Sequence, residues 1–284
     1  AESLEGDEAS LPPWFERHVG AKGARAARTS SPSPPPAERA GVRGKGVKQF
    51  DASPTILSLA PPPNQAPHSS LVQMFDTVSR TFGASDSRFA GRISADHSWS
   101  LDFAVAQAAL HGSEQSGRPL MLLGTAFMFV HLLDALEERG LSLSLPSGSR
   151  VMETGGYKGR SRELPKAELH AHLTARLGVP PEFIVCEYGM SELSSQAYDG
   201  VAGDLPASRA FHFPPWCRAL IVSPETGREV SEGETGLLRI FDLANVRSVM
   251  AIQTEDLAVR RGDGFELLGR AVQAEARGCS LLAA

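Results

Sequence analysis

The 284-residue sequence is poor in cysteine and aromatics and has no long uninterrupted apolar run, and each shortage excludes something. Its cysteines, Cys186, Cys217 and Cys279, lie far apart. They cannot form a disulfide framework or a zinc motif, and a reducing, cytoplasmic compartment is expected. The longest apolar stretch, Leu120 to Leu136, is broken by Gly124, Thr125, His131 and Asp134. A membrane span needs about 20 apolar residues, so none is expected. There is no excess of positive charge: the net charge of -5 gives no general attraction for nucleic acid or an anionic membrane. The opening Ala1-Glu2-Ser3-Leu4-Glu5-Gly6-Asp7-Glu8 is acidic, so these residues are not expected to be a signal or transit peptide. The chain opens on Ala rather than Met, so a preceding segment is expected.

What is present is an ordinary globular composition, 42% hydrophobic and 21% charged, long enough for one large domain or a domain with an appendage. Residues 1–20 read as a partial N-terminal segment. From 21 to 48 the basic residues Lys22, Arg25, Arg28, Arg39, Arg43, Lys45 and Lys48 face one acid, Glu38, and the run Pro34-Pro35-Pro36 interrupts them. With almost no large apolar side chain to bury, this stretch reads as a disordered, solvated insert. A basic arm for nucleic acid or a membrane surface is the less favoured reading.

Strands and helices then alternate over 49–216. Thr55 to Leu59 reads as a buried strand, and Ser69 or Ser70 as the N-cap of a helix carrying Leu71, Met74, Phe75 and Val78. Leu120 to Leu123 is a second strand, followed by a helix through Arg139 that stops at Gly140. Arg150 to Glu153 is a third. After Pro165 a helix repeats Leu169, Leu173 and Leu177 along one face, and Phe183 to Cys186 forms a fourth strand. Crossover helices between strands imply a parallel sheet with ligands at the carboxyl ends of its strands. Over 217–284 the pattern changes to antiparallel strands with turns: Ala219 to Val222, Gly236 to Phe241, Glu255 to Val259 and Phe265 to Leu268. The fold class is therefore α/β, a parallel sheet with crossover helices followed by a β-rich C-terminal subdomain.

Two strand ends carry chemistry-bearing residues, Thr154-Gly155-Gly156 and Tyr188-Gly189-Met190-Ser191-Glu192. A tyrosine beside a glycine can lay its ring on a flat base, and Ser191 can donate to a phosphate oxygen. Glu192 can hold magnesium, which prefers hard oxygen ligands. A turn with a partly buried tyrosine is the plainer reading of the same string. His170 and His172 stand two apart on one helix and cannot chelate one metal. Cys186 falls in a buried strand and should be inert. Phe127, Met128 and Phe129 read as core rather than the wall of an apolar ligand tunnel.

The order of Thr154-Gly155-Gly156, Tyr188-Gly189-Met190-Ser191-Glu192, Gly233-Glu234-Thr235-Gly236, Thr254-Glu255-Asp256 and Leu268-Gly269-Arg270 resembles the adenylate-forming superfamily. Ile56-Leu57-Ser58-Leu59-Ala60-Pro61, Pro67-His68-Ser69-Ser70, Gly155 to Arg160 and the closing Glu275-Ala276-Arg277-Gly278-Cys279 resemble one branch of it, the acyl-protein synthetases of bacterial luminescence. That resemblance implies an ATP- and Mg2+-dependent ligase that converts a long-chain fatty acid to acyl-AMP. A cysteine thiol would take the acyl group, and an acyl reductase protein would be the partner. It implies Tyr188 on adenine, Gly155, Gly156, Gly189 and Ser191 around the nucleotide, Glu192 on magnesium, Asp256 on ribose and Arg270 on ribose or phosphate. Cys279 is the implied acyl acceptor.

Several features depart from the wider superfamily. Its Ser/Thr/Gly-rich phosphate loop is missing and is expected before residue 1, so residues 1–284 alone are expected to be inactive. Val272 stands where the superfamily has an acidic hinge residue, and because the sequence ends soon after it, the lysine-bearing C-terminal domain is expected to be lacking. Two alternatives stand beside the ligase reading. One is an acyl- or aryl-coenzyme A ligase, and the other is a non-catalytic nucleotide-binding remnant.

Overall fold

The structure, a computed structural model, describes residues 53–157, 161–204 and 209–271. The expected N-terminal segment 1–20, the basic insert 21–48, residues 158–160 of the glycine run, Val272 and Cys279 lie outside the described residues.

Short apolar strands form the first sheet. β1 (Thr55–Ser58), β2 (Arg88–Phe89), β5 (Leu120–Thr125), β6 (Arg150–Thr154), β7 (Ile184–Tyr188) and β8 (Ala197–Tyr198) lie in the order β2-β1-β5-β6-β7-β8. All neighbours are parallel except β7 and β8, so the expected parallel sheet has an antiparallel edge. Helix α1 (Ser70–Phe82) begins where expected: Ser69 is the N-cap, and its Oγ accepts from the Val72 amide at 3.3 Å. Strands β3 (Gly91–Ile93) and β4 (Trp99–Leu101) make a separate hairpin ahead of α2 (Phe103–Ser116). The sequence pattern between 84 and 119 had suggested none of these three elements.

Helix α3 (Ala126–Glu138) is apolar nearly all round, and a helix of that kind must be enclosed. Phe127, Met128 and Phe129 are each no more than 1% exposed, so they are core, as expected. α3 packs on β5, β6 and α4 (Lys166–Leu177), whose Leu169, Leu173 and Leu177 are buried along one face. No described helix is long and apolar enough to cross a membrane.

The second sheet is antiparallel, in the order β12-β11-β10-β9, made of β9 (Cys217–Val222), β10 (Thr235–Asp242), β11 (Ala251–Arg261) and β12 (Gly264–Arg270). On β10 buried and part-exposed positions alternate, with Leu238 and Ile240 fully enclosed. A short strap joins the two sheets. Phe211 exchanges both backbone hydrogen bonds with Phe265 of β12, and His212 does the same with Tyr198 of β8. The close approach depends on Gly264. A Cβ there would lie 2.7 Å from the Phe211 carbonyl oxygen and 2.8 Å from His212 Nε2. Gly264→Ala must therefore push the strap away. A loss of about 1–3 kcal/mol is expected, as for other overpacked positions. Urea unfolding of the variant with an unchanged midpoint would contradict this role for Gly264.

Candidate nucleotide site at the junction of the two sheets

The parallel register of β6 and β7 pairs Thr154 with Glu187. Gly155 and Tyr188, one residue further along each strand, therefore stand side by side at the carboxyl edge. Gly155 has φ +64°, a backbone state that glycine adopts without the strain a Cβ brings. Gly189 is needed for another reason: a Cβ would collide with Glu187 Oε1. Glu187 is buried, and the Thr154 hydroxyl donates to its Oε2. Burial, aided by the nearby Glu153 carboxylate and opposed by that one hydrogen bond, pushes the Glu187 carboxyl up to about 7.

Tyr188 is 8% exposed and is the first of three expected site residues that the fold brings into contact. Its ring meets Phe211, Phe213 and Phe265 edge-on, at centroid distances of 6.1, 6.3 and 5.6 Å. Phe265 in turn stacks on Phe211 at 5.4 Å and on Phe213 at 6.0 Å. The phenol hydroxyl crosses to the second sheet and donates to Asp256 Oδ2 at 2.6 Å. Burial and the adjoining carboxylate both push the phenol well above its ordinary range, so it stays a donor. Arg270 completes the line, with Nε 3.5 Å from Asp256 Oδ1 and Nη2 2.8 Å from Glu255. Asp256 and Arg270 are paired across β11 and β12. A bulge between Leu257 and Ala258 sits beside them.

Ser191 and Glu192 lie on the exposed loop after β7, where Ser191 Oγ donates to Glu192 Oε2 at 3.2 Å. Among the described residues no group of three or more His, Cys, Asp or Glu could hold a metal. One exposed carboxylate does suit magnesium, which commonly takes one or two carboxylates and completes its shell with phosphate oxygens and water.

Two residues that sequence reasoning missed hold this loop. Asp242, fully buried at the end of β10, accepts from the Ser194 and Ser195 amides at 3.0 and 2.9 Å and from Ser195 Oγ at 2.8 Å. Asn245 donates through Nδ2 to the Glu192 carbonyl at 2.8 Å and accepts from Ser194 Oγ at 2.6 Å. Nothing in the local pattern marks either residue, because their partners lie about fifty positions away. Behind β6 and β7, Cys186 donates to Glu153 at 3.3 Å, and His170 Nε2 lies 3.2 Å from the same oxygen. Cys186 is buried, as expected, and that burial, with Glu153 next in effect, pushes its thiol well above its usual range. His172 pairs instead with Glu168, away from His170's partner.

The Glu187 shift has a definite sign. A carboxyl whose folded pKa is raised holds its proton more tightly in the native state. Its stabilising contribution is complete below the ordinary value of 4.5 and is lost as pH rises through about 7. Glu187→Gln keeps the Thr154 contact without ionising. The melting temperature of the variant relative to the parent should therefore climb between about pH 5 and about pH 8. Parallel melting curves across that range would place the Glu187 pKa elsewhere.

Comparison with known proteins bears on the family and on the fold. A long-chain-fatty-acid–luciferin-component ligase of Vibrio harveyi is 22% identical over 190 residues, covering 64% of this chain and 49% of that protein. The corresponding ligase of Aliivibrio fischeri is 23% identical over 192 residues, with the same coverage. The chain thus spans about half the length of the curated relatives it matches. Among solved structures, McyG A-PCP complexed with phenylalanyl-adenylate superposes with a TM-score of 0.50 at 14% identity, covering 78% of this chain and 41% of that one. At that identity the likeness speaks for the fold alone. The family profile "Acyl-protein synthetase, LuxE" matches residues 49–284, and the chain belongs to that family.

Proposed function

We propose that the protein is a ligase that activates a long-chain fatty acid with ATP and passes the acyl group to a cysteine thiol. The observation that carries this reading is the convergence of Tyr188, Asp256 and Arg270, with the hydroxyl of Tyr188 2.6 Å from Asp256. These residues come from two sheets, and the adenylation reading assigns all three to the nucleotide. Membership in the acyl-protein synthetase family and the ligase names of the two bacterial relatives add the acyl substrate.

In this reading residues 49–216 bind nucleotide and acyl chain, and residues 217–284 form the β-rich subdomain. The rigid ring of Tyr188 offers a platform for adenine, while the backbone at Gly155, Gly156 and Gly189 comes close to the nucleotide. Asp256 takes the ribose hydroxyls, Arg270 takes ribose or phosphate, and Ser191 donates to a phosphate oxygen. Glu192 would hold Mg2+, which when bound neutralises phosphate charge. The fatty carboxylate oxygen attacks the α-phosphorus, the bond to the bridging oxygen breaks and pyrophosphate leaves. A thiolate then attacks the acyl carbonyl and AMP leaves, the thiol proton having passed to solvent. The proposed acceptor is Cys279, and the proposed consumer of the thioester is an acyl reductase protein. A cytoplasmic setting belongs to the same reading and is supported by Cys186 and Cys217 being free thiols.

The test is fatty-acid-dependent exchange of labelled pyrophosphate into ATP by the full-length protein. Exchange is expected, and its absence would remove the ligase reading. Glu192→Gln should lower the exchange rate by about 10²-fold, the scale of losing one preorganised electrostatic group. Cys279→Ser should still form acyl-adenylate but retain no hydroxylamine-labile acyl label. Undiminished labelling of that variant would move the acceptor elsewhere and favour coenzyme A.

A further inference from the structure

The loop that carries Glu192 is held almost entirely from the other sheet. Asp242 ends β10, is fully buried and faces no cation among its hydrogen-bond partners. Its Oδ2 accepts two successive amides, Ser194 and Ser195, and its Oδ1 accepts Ser195 Oγ and the Ala244 amide at 3.0 Å. A carboxylate that receives four donors in this way fixes the backbone that supplies them. Trp216 Nε1 adds a further bond to Ser195 Oγ at 3.1 Å. Asn245, 7% exposed, then reaches one step further back. Its Nδ2 donates both to the Glu192 carbonyl at 2.8 Å and to the Val249 carbonyl at 3.1 Å, and its Oδ1 accepts from Ser194 Oγ.

The contrast with Glu192 itself matters. Its side chain is exposed, and its carboxylate contact is with the neighbouring Ser191 hydroxyl. A carboxylate on a free loop would have to be ordered each time a metal bound, at the cost of backbone and side-chain entropy. Here the peptide that bears it is pinned at 192, 194 and 195, leaving mainly the side-chain torsions to settle. Leu193 and Ser195 anchor the loop by burial, while Glu192 and Ser194 are exposed, and the convergent bonds fix the backbone at these exposed positions as well.

We infer that Asp242 and Asn245 are positioning residues that preorganise the Glu192 carboxylate for the magnesium–phosphate group. They act through the 192–195 backbone without touching the ligand. The inference rests on the adenylation reading and adds to it the residues that make the loop competent. It also gives the antiparallel sheet a part in metal binding, since Asp242 belongs to β10 and Asn245 to the turn that follows it.

The discriminating variant is Asn245→Asp in the full-length protein, which keeps the acceptor for Ser194 Oγ and removes the donors to Glu192 and Val249. Two readouts are needed. In metal-free protein, amide hydrogen exchange across 190–195 should accelerate while peptides of β7 keep their protection. In pyrophosphate exchange, the magnesium concentration for half-maximal rate should rise by about 10- to 100-fold, the usual effect of removing an outer-shell partner. The KM for the fatty acid should stay within about twofold, because uniform loss of substrate binding is not expected. Asp242→Asn should move both readouts the same way, and if it does not fold, Asn245→Asp alone decides. An unchanged magnesium requirement in folded Asn245→Asp, with an active parent, overturns the positioning role and leaves the ligase reading intact. An inactive parent removes the ligase reading itself, and the positioning role with it.

Discussion

The hydrogen bond from Tyr188 to Asp256 crosses the boundary between two sheets that share no strand, and much of the site depends on it. A buried phenol needs a partner for its hydroxyl, and Asp256 is that partner at 2.6 Å. Breaking the contact would leave a buried donor unsatisfied, at a cost of about 1–3 kcal/mol. The aromatic group of Phe211, Phe213 and Phe265 sets the tyrosine ring from its edges, and the Phe211–Phe265 backbone pair ties that group to β12. An ionised carboxylate has about four acceptor positions. The phenol uses one and Arg270 Nε lies 3.5 Å from the other oxygen, so Asp256 serves the junction with acceptor positions to spare.

Three of the buried acids among the described residues are handled differently, and the differences follow from their partners. Asp199 has cations, with Lys166 Nζ at 2.7 Å and Arg209 Nη1 at 3.4 Å, and it also accepts the Cys186 amide. Asp242 relies on hydrogen bonds alone and receives four. Glu187 has the Thr154 hydroxyl and a neighbouring acid, too little to offset burial, and so its carboxyl is pushed up to about 7. Asp199 ties the start of α4, β7 and the residue that opens the strap, so it braces the sheet. Asp242 braces a loop.

Much of the architecture was legible because local chemistry and global packing agree. Ser69 caps α1, the Leu169-Leu173-Leu177 repeat makes one buried face, and α4 follows Pro165. The apolar cores of β1, β5, β6 and β7 follow from their composition. What stayed illegible has equally physical causes. Helix α2 buries Ala106, Ala109, Leu110 and Ser113, side chains mostly too small to print a clear period on the sequence. Strand β8 has two residues and exists only because Tyr198 is sandwiched between Glu187 on β7 and His212 on the strap.

By itself the sequence determined the alternation of strands and helices, the change to antiparallel strands near residue 217, and the motifs and short segments that resemble its family. Periodicity, turn residues and short motifs are all local, and a linear reading can weigh them. The tertiary structure alone decided which motifs meet. Tyr188 reaches Asp256 across 68 positions, and Asp242 holds a loop 47 positions before it. Such contacts depend on how two sheets dock, which is set by the fit of Phe211, Phe265 and the space left by Gly264. That fit is a property of volumes in three dimensions and leaves no period in the chain.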